Sequence, residues 1–161
     1  MAIYQQILVA VDGSSTSENA LDEAIRLARL MGARLRLVHV IDVLGYFTGY
    51  EPAMAYVGDT LPLMRAAGEE LLAKDKQKAL DQGVSVDSVL VDNAVGRICE
   101  QVAEQAKLVN ADLIVVGSHG RRGIGRALMG SDAELIVRYA PVPILVVRTS
   151  EAPEQASAAK T

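Results

Sequence analysis

Five short apolar runs punctuate the chain, at residues 7–11, 35–41, 84–91, 113–116 and 144–147. Their near-continuous Val, Ile and Leu content predicts strands buried on both faces, because a strand with one wet face would alternate. Between them the spacing becomes helical. Leu21, Ala24, Ile25, Ala28 and Met31 recur at intervals of three and four, as do Val95, Ile98, Cys99, Val102 and Ala106. Residues 61–82 and 131–139 carry a weaker version of the same pattern. Strand and helix alternate, so the expected class is α/β: a single doubly wound domain, its five-stranded parallel sheet in the order 3-2-1-4-5 with helices on both faces. In such a sheet the order reverses between strands one and four, and ligands bind beyond the carboxyl ends of the strands at that point.

Composition narrows this picture. A chain of 161 residues, half of them hydrophobic, fits one core, assigned to residues 1–149. The last stretch, 150–161, is small, polar and nonperiodic and reads as a disordered tail. No apolar run approaches the roughly 18 residues of a membrane span, and the N-terminal "MAIYQQILVAVDG" has no export signal, so a cytoplasmic protein without membrane insertion is expected. The formal net charge of −4 argues against a broad basic surface for nucleic acid. The single cysteine, Cys99, sits on an apolar helical face and is expected to be a core residue in a reducing compartment.

Two polar motifs fall on the strand ends that flank the reversal. Strand one ends in "VDGSS", bringing Asp12, Gly13 and Ser14 to the crevice, and strand four in "VVGSHGRRG", bringing Gly117, Ser118, His119 and Gly120 beside them. Further on, Gly130-Ser131 precedes a helix, whose free N–H groups and positive dipole end suit an anion. Ser131 with Glu134 also fits a capping box, which alone would explain the serine. No lysine follows Gly130, which excludes a P-loop, and the dinucleotide pattern G-x-G-x-x-G is absent. His39 lies in an apolar strand and reads as a satisfied core residue. With His119 the only other histidine and Cys99 remote, no zinc site is suggested.

The segment 42–60 is long for a connection and holds four of the six aromatic residues, Tyr46, Phe47, Tyr50 and Tyr56, as a lid, a partner-contact surface or a packed excursion. Pro141 and Pro143 open the fifth apolar run, which favours an edge strand because proline cannot donate inside a sheet.

The spacing Gly117-x₂-Gly120-x₉-Gly130-Ser131 resembles the nucleotide-binding signature of the universal stress proteins, and "ILVAVDGS", "HVID", "ADLIVVGSHGR" and "APVPILVVR" extend the resemblance over almost the whole chain. The resemblance implies ATP, with or without magnesium, bound at the switch point by a homodimer that pairs its fifth strands. Carried onto this sequence, Asp12 would bond the ribose and the backbone around Val40 would face the adenine. Gly117, His119, Gly120, Gly130 and Ser131 would line the phosphates, and Ala10, Val11, Val116 and Arg121 complete the set. Asp132 would either repel the γ-phosphate or share a magnesium ion with it, and Arg121, Arg122 and Arg126 would offset its charge if they point inward. The expected function is an ATP-binding regulatory stress-response protein. The alternatives are a nucleotide-independent module for an unknown protein partner and, below it, a slow ATPase with His119 and Asp132 as its candidate base or metal partner.

Overall fold

Parallel strands need crossovers, and here each of the first four apolar runs is followed by a helix long enough to return the chain to the starting end of the sheet. The computed structural model describes residues 3–42, 57–93, 96–119 and 129–148. In chain order they form β1 (Gln6–Ala10), α1 (Ser15–Met31), β2 (Arg34–Asp42), α2 (Val57–Asp81), β3 (Val86–Asn93), α3 (Ile98–Leu108), β4 (Leu113–Gly117), α4 (Ser131–Tyr139) and β5 (Ile144–Val147). The strands are all parallel, as the alternation predicts, and lie in the expected order β3-β2-β1-β4-β5. β1 and β4 are neighbours, with Ile7 beside Leu113 and Val9 beside Val115, so the reversal lies between their carboxyl ends.

The strand pleat divides the core into two layers. Ile7, Val9, Leu35, Leu37 and Val115 face α1 and α2, where Leu21, Ile25 and Leu72 meet them. Leu8, Val38, Ile114 and Val116 face the opposite way onto Val102 of α3 and Ile136 of α4. Cys99 belongs to this second layer, and burial pushes its thiol above the ordinary value.

Several boundaries differ from the periodicity reading. β1 ends at Ala10 rather than Val11, although the Val11 N–H still donates to the Val38 carbonyl at 2.9 Å. β3 begins at Val86, and Val84 instead plugs the turn after α2, its N–H bonded to the Ala79 carbonyl. α2 starts at Val57, one turn before the expected 61, and carries Pro62 inside it. At α4 the N-cap is Gly130 and Ser131 is already helical, so the Ser131–Glu134 capping box does not form; the Glu134 N–H donates to the Gly130 carbonyl. Most of the aromatic segment (43–56), Val95 and the tail (149–161) lie outside the described residues.

One missing methyl group positions α1. A Cβ on Gly117 would stand 2.8 Å from both the carbonyl carbon and oxygen of Thr16 and 3.0 Å from the Ser17 nitrogen, all backbone atoms that cannot swing aside. The exit of β4 therefore touches the first turn of α1 directly. On α2, Gly68, Leu72, Asp75 and Ala79 form one buried stripe, and Asp75 is only 4 % exposed. Beside it, ion pairs Lys74–Glu18 (3.2 Å) and Lys78–Asp22 (2.6 Å) cross from α2 to α1. Burial raises the Asp75 carboxyl above its ordinary range; Lys74 and Lys78 pull it down, while Glu18 and Asp22 push it up.

Two outcomes follow from these contacts. Gly117→Ala is expected to cost about 1–3 kcal/mol of stability in urea denaturation, the scale of overpacking against a rigid neighbour. A raised carboxyl stabilises the fold when protonated, below the ordinary aspartate range, and that contribution disappears as pH rises through the folded-state value. Asp75→Asn, neutral at every pH, is therefore expected to melt at a higher temperature than the parent at pH 7, with the advantage vanishing towards about pH 4.

Candidate functional site

The loop after β1 is shaped by its own short polar side chains. Gly13 takes a positive φ of 79°, and Asp12 Oδ1 accepts the Ser14 N–H at 2.8 Å. Ser14 then caps α1 by accepting the Ser17 N–H at 3.2 Å, while Ser17 Oγ reaches back to accept the Asp12 N–H at 3.1 Å. From below, buried His39 holds the same exit through a 2.7 Å bond between Nδ1 and the Val11 carbonyl, which requires the proton on Nδ1. His39 is a bonded core residue, as its apolar surroundings suggest, and Gly68 of α2 packs on its ring.

The exit of β4 is held as tightly. The Ser118 N–H donates to the Val147 carbonyl at 2.8 Å, and the Ser118 carbonyl accepts the Gly130 N–H at 2.9 Å. The next carbonyl, that of His119, accepts the Thr16 hydroxyl. Ser118 Oγ and His119 Nδ1 are 2.9 Å apart. His119 Nε2 is buried and has no hydrogen-bond partner among the described residues. An unpaired buried nitrogen costs about 1–3 kcal/mol, a cost that a ligand acceptor or donor would relieve.

Between the two exits lies a cleft of about 80 Å³. This is smaller than the roughly 300–1,000 Å³ of a site that engulfs a drug-sized ligand, so the described walls would hold one end of such a molecule. Ala10, Val11, Asp12, Val40, Val116, Gly117, His119 and Asp132 all line it, so eight residues singled out in the sequence meet here. Gly130 and Ser131 sit at the adjoining start of α4 rather than among the described lining residues. Gly120 and Arg121, with Gly123, Gly125, Arg122 and Arg126, lie outside the described residues.

Sequence reasoning missed one wall of this cleft and the hydroxyls of the first turn of α1 beside it. Ile98 and Val102 of α3 with Ala133 and Ile136 of α4 form an apolar wall, and Val38 and Val40 line the cleft with them. These residues look like core in the sequence; only the return of α3 towards the switch point distinguishes them. Ser17, a lining residue, and Thr16 were hidden as ordinary helix-start residues.

The site is thus two-ended. One end is aliphatic and suits a flat apolar ring. At the other, the first turns of α1 and α4 meet at adjacent carbonyls, and helix starts favour negative charge. Asp132 and Glu134 already occupy the first turn of α4, so part of that favourable field is taken up internally. No cluster of three or more metal-ligating side chains occurs among the described residues, and none of the described helices is long and apolar enough to cross a membrane.

Known proteins share both the sequence and the shape. A curated Staphylococcus epidermidis protein named as a universal stress protein is 39 % identical over 155 residues, spanning 96 % of this chain and 90 % of that one. The universal stress protein UspA from Lactobacillus plantarum superimposes with a TM-score of 0.78 at 26 % identity, covering 92 % of this chain and all of the other. A universal stress protein solved in complex with cAMP matches with a TM-score of 0.66 at 26 % identity, over 91 % of this chain and 98 % of that one. The model of the universal stress protein family matches residues 3–148, and with the strand order and relatives in agreement, the chain belongs to that family.

Proposed function

We propose that the protein is a cytoplasmic, ATP-binding regulatory protein of the stress response that acts as a dimer. The observation that carries this reading is the meeting of an aliphatic slot, the Asp12 carboxylate and two helix starts at one switch point. Adenine enters between Val40 and the α3–α4 wall. Asp12, fixed by Ser14 and Ser17, accepts from the ribose hydroxyls. The phosphates then run towards Gly117, His119, Gly130 and Ser131, with Gly120 and Arg121 joining them from the intervening sequence. Asp132, which lines the cleft, would on this reading share a magnesium ion with the outer phosphate. That a relative of the same fold is solved with cAMP supports an adenine nucleotide as the ligand class.

The dimer reading rests on the sheet edge. β5 is outermost beside β4, and the Pro143 and Val147 carbonyls accept from Ile114 and Ser118. Alternation then leaves the N–H and C=O of Ile144 and Val146 without a strand partner among the described residues, on the edge where a second copy can pair.

Isothermal titration with ATP and magnesium tests the nucleotide. The parent is expected to bind, and Asp12→Ala to bind at least about tenfold more weakly, the loss of one charged hydrogen-bond acceptor; no heat from the parent would sink the reading. For the dimer, Val146→Pro removes an N–H from the open edge and spares the β4 ladder. Light scattering after size exclusion is expected to give a dimer for the parent and a monomer for the variant, and a monomeric parent would refute it.

A further inference from the structure

We propose that Thr16 is a positioning residue for the nucleotide site, its hydroxyl locking the exit of β4 onto α1. This inference rests on the nucleotide reading above and assigns a role to a side chain that is not among the described lining residues. Thr16 is 9 % exposed, buried at the first turn of α1. Its hydroxyl donates to the His119 carbonyl, across a separation of 103 residues in sequence. The preceding carbonyl, that of Ser118, is taken by the Gly130 N–H that starts α4. Two consecutive carbonyls at the end of β4 are thus claimed by the first turns of two different helices, one on each face of the sheet.

That arrangement fixes the spacing of the polar end of the cleft. Ser17, next to Thr16, bonds the Asp12 N–H, so the same turn of α1 holds the exit of β1 through one hydroxyl and the exit of β4 through the next. Ser14 Oγ lies 3.3 Å from Thr16 Oγ1, so the hydroxyl has a second partner that limits its rotation. Gly117 lets the two backbones approach until the Thr16 bond can close. Without the hydroxyl, the His119 carbonyl loses its described partner and the cleft loses the tie between Asp12 and His119.

Thr16→Val keeps the shape and removes the hydroxyl; Thr16→Ser keeps the hydroxyl. Titration with ATP and magnesium is expected to show about tenfold weaker binding for Thr16→Val and near-parental binding for Thr16→Ser, because the freed exit of β4 must be re-ordered each time the nucleotide binds, a cost on the scale of one hydrogen bond. Nitrogen-15 NMR of the His119 ring in the ligand-free protein is expected to shift in Thr16→Val and return in Thr16→Ser. If Thr16→Val does not fold, Thr16→Ala against Thr16→Ser makes the same comparison. Parental binding by the hydroxyl-free variant, or equal loss in Thr16→Ser, overturns the proposal. If the parent binds no ATP, the nucleotide reading fails and the ring signature decides alone: a ring that shifts and is restored supports the lock, and an unmoved ring refutes it.

Discussion

The contact between Gly117 and the backbone of Thr16–Ser17 governs the geometry of everything around the switch point. At 2.8 Å from a hypothetical Cβ, the α1 backbone lies nearer to β4 than any other residue type at 117 would allow without displacement. Because α1 is a 17-residue helix packed through Ala20, Leu21, Ala24, Ile25 and Ala28, it cannot shift at one end without disturbing that packing. Close approach at 117 is therefore transmitted to the loop after β1, where the Ser14 cap and the Ser17 hydroxyl set the place of Asp12. Gly117 serves packing first, and any effect on a ligand is a consequence of that packing.

The sheet was legible in the sequence because buried parallel strands must be apolar on both faces, and few other elements of that length are. Right-handed crossovers limited the possible strand orders, and the order common in domains of this size is the one observed. End points were less legible. Val11 and Val84 are as apolar as their neighbours, but what ends a strand is hydrogen-bond pairing, which a hydropathy pattern does not record. Ser131 illustrates a similar limit. Its spacing from Glu134 satisfies a capping rule, yet Gly130, whose extended φ of −61° and ψ of 149° and bond to Ser118 begin the helix, takes the cap position.

The candidate site was legible where its residues were unlike their surroundings. Asp12, Gly117 and His119 are polar or small at the ends of apolar runs, and they converge in the cleft. Ile98, Val102 and Ile136 were invisible because an aliphatic wall of a cleft and an aliphatic core have the same composition. Thr16 and Ser17 were invisible for another reason: hydroxyls are common in the first turn of a helix, where they serve local caps. Only the fold shows that these two reach beyond their own turn, to Asp12 and across 103 residues to His119.

Charge decides how the two ends of the cleft share the work of recognition. The described walls bring two carboxylates, Asp12 and Asp132, and Glu134 stands in the same turn as Asp132. A helix start contributes only about 0.3–1 kcal/mol towards an anion, so two of them do not by themselves offset those carboxylates against a polyphosphate. On the nucleotide reading the balance must come from a shared magnesium ion or from the cationic side chains of the intervening sequence, Arg121, Arg122 and Arg126. The aliphatic end has no such conflict, since burying a ring there removes apolar surface from water at roughly 25 cal/mol per Å². Affinity on this reading comes chiefly from the ring, and the polar end discriminates among phosphates by how well their charge is met.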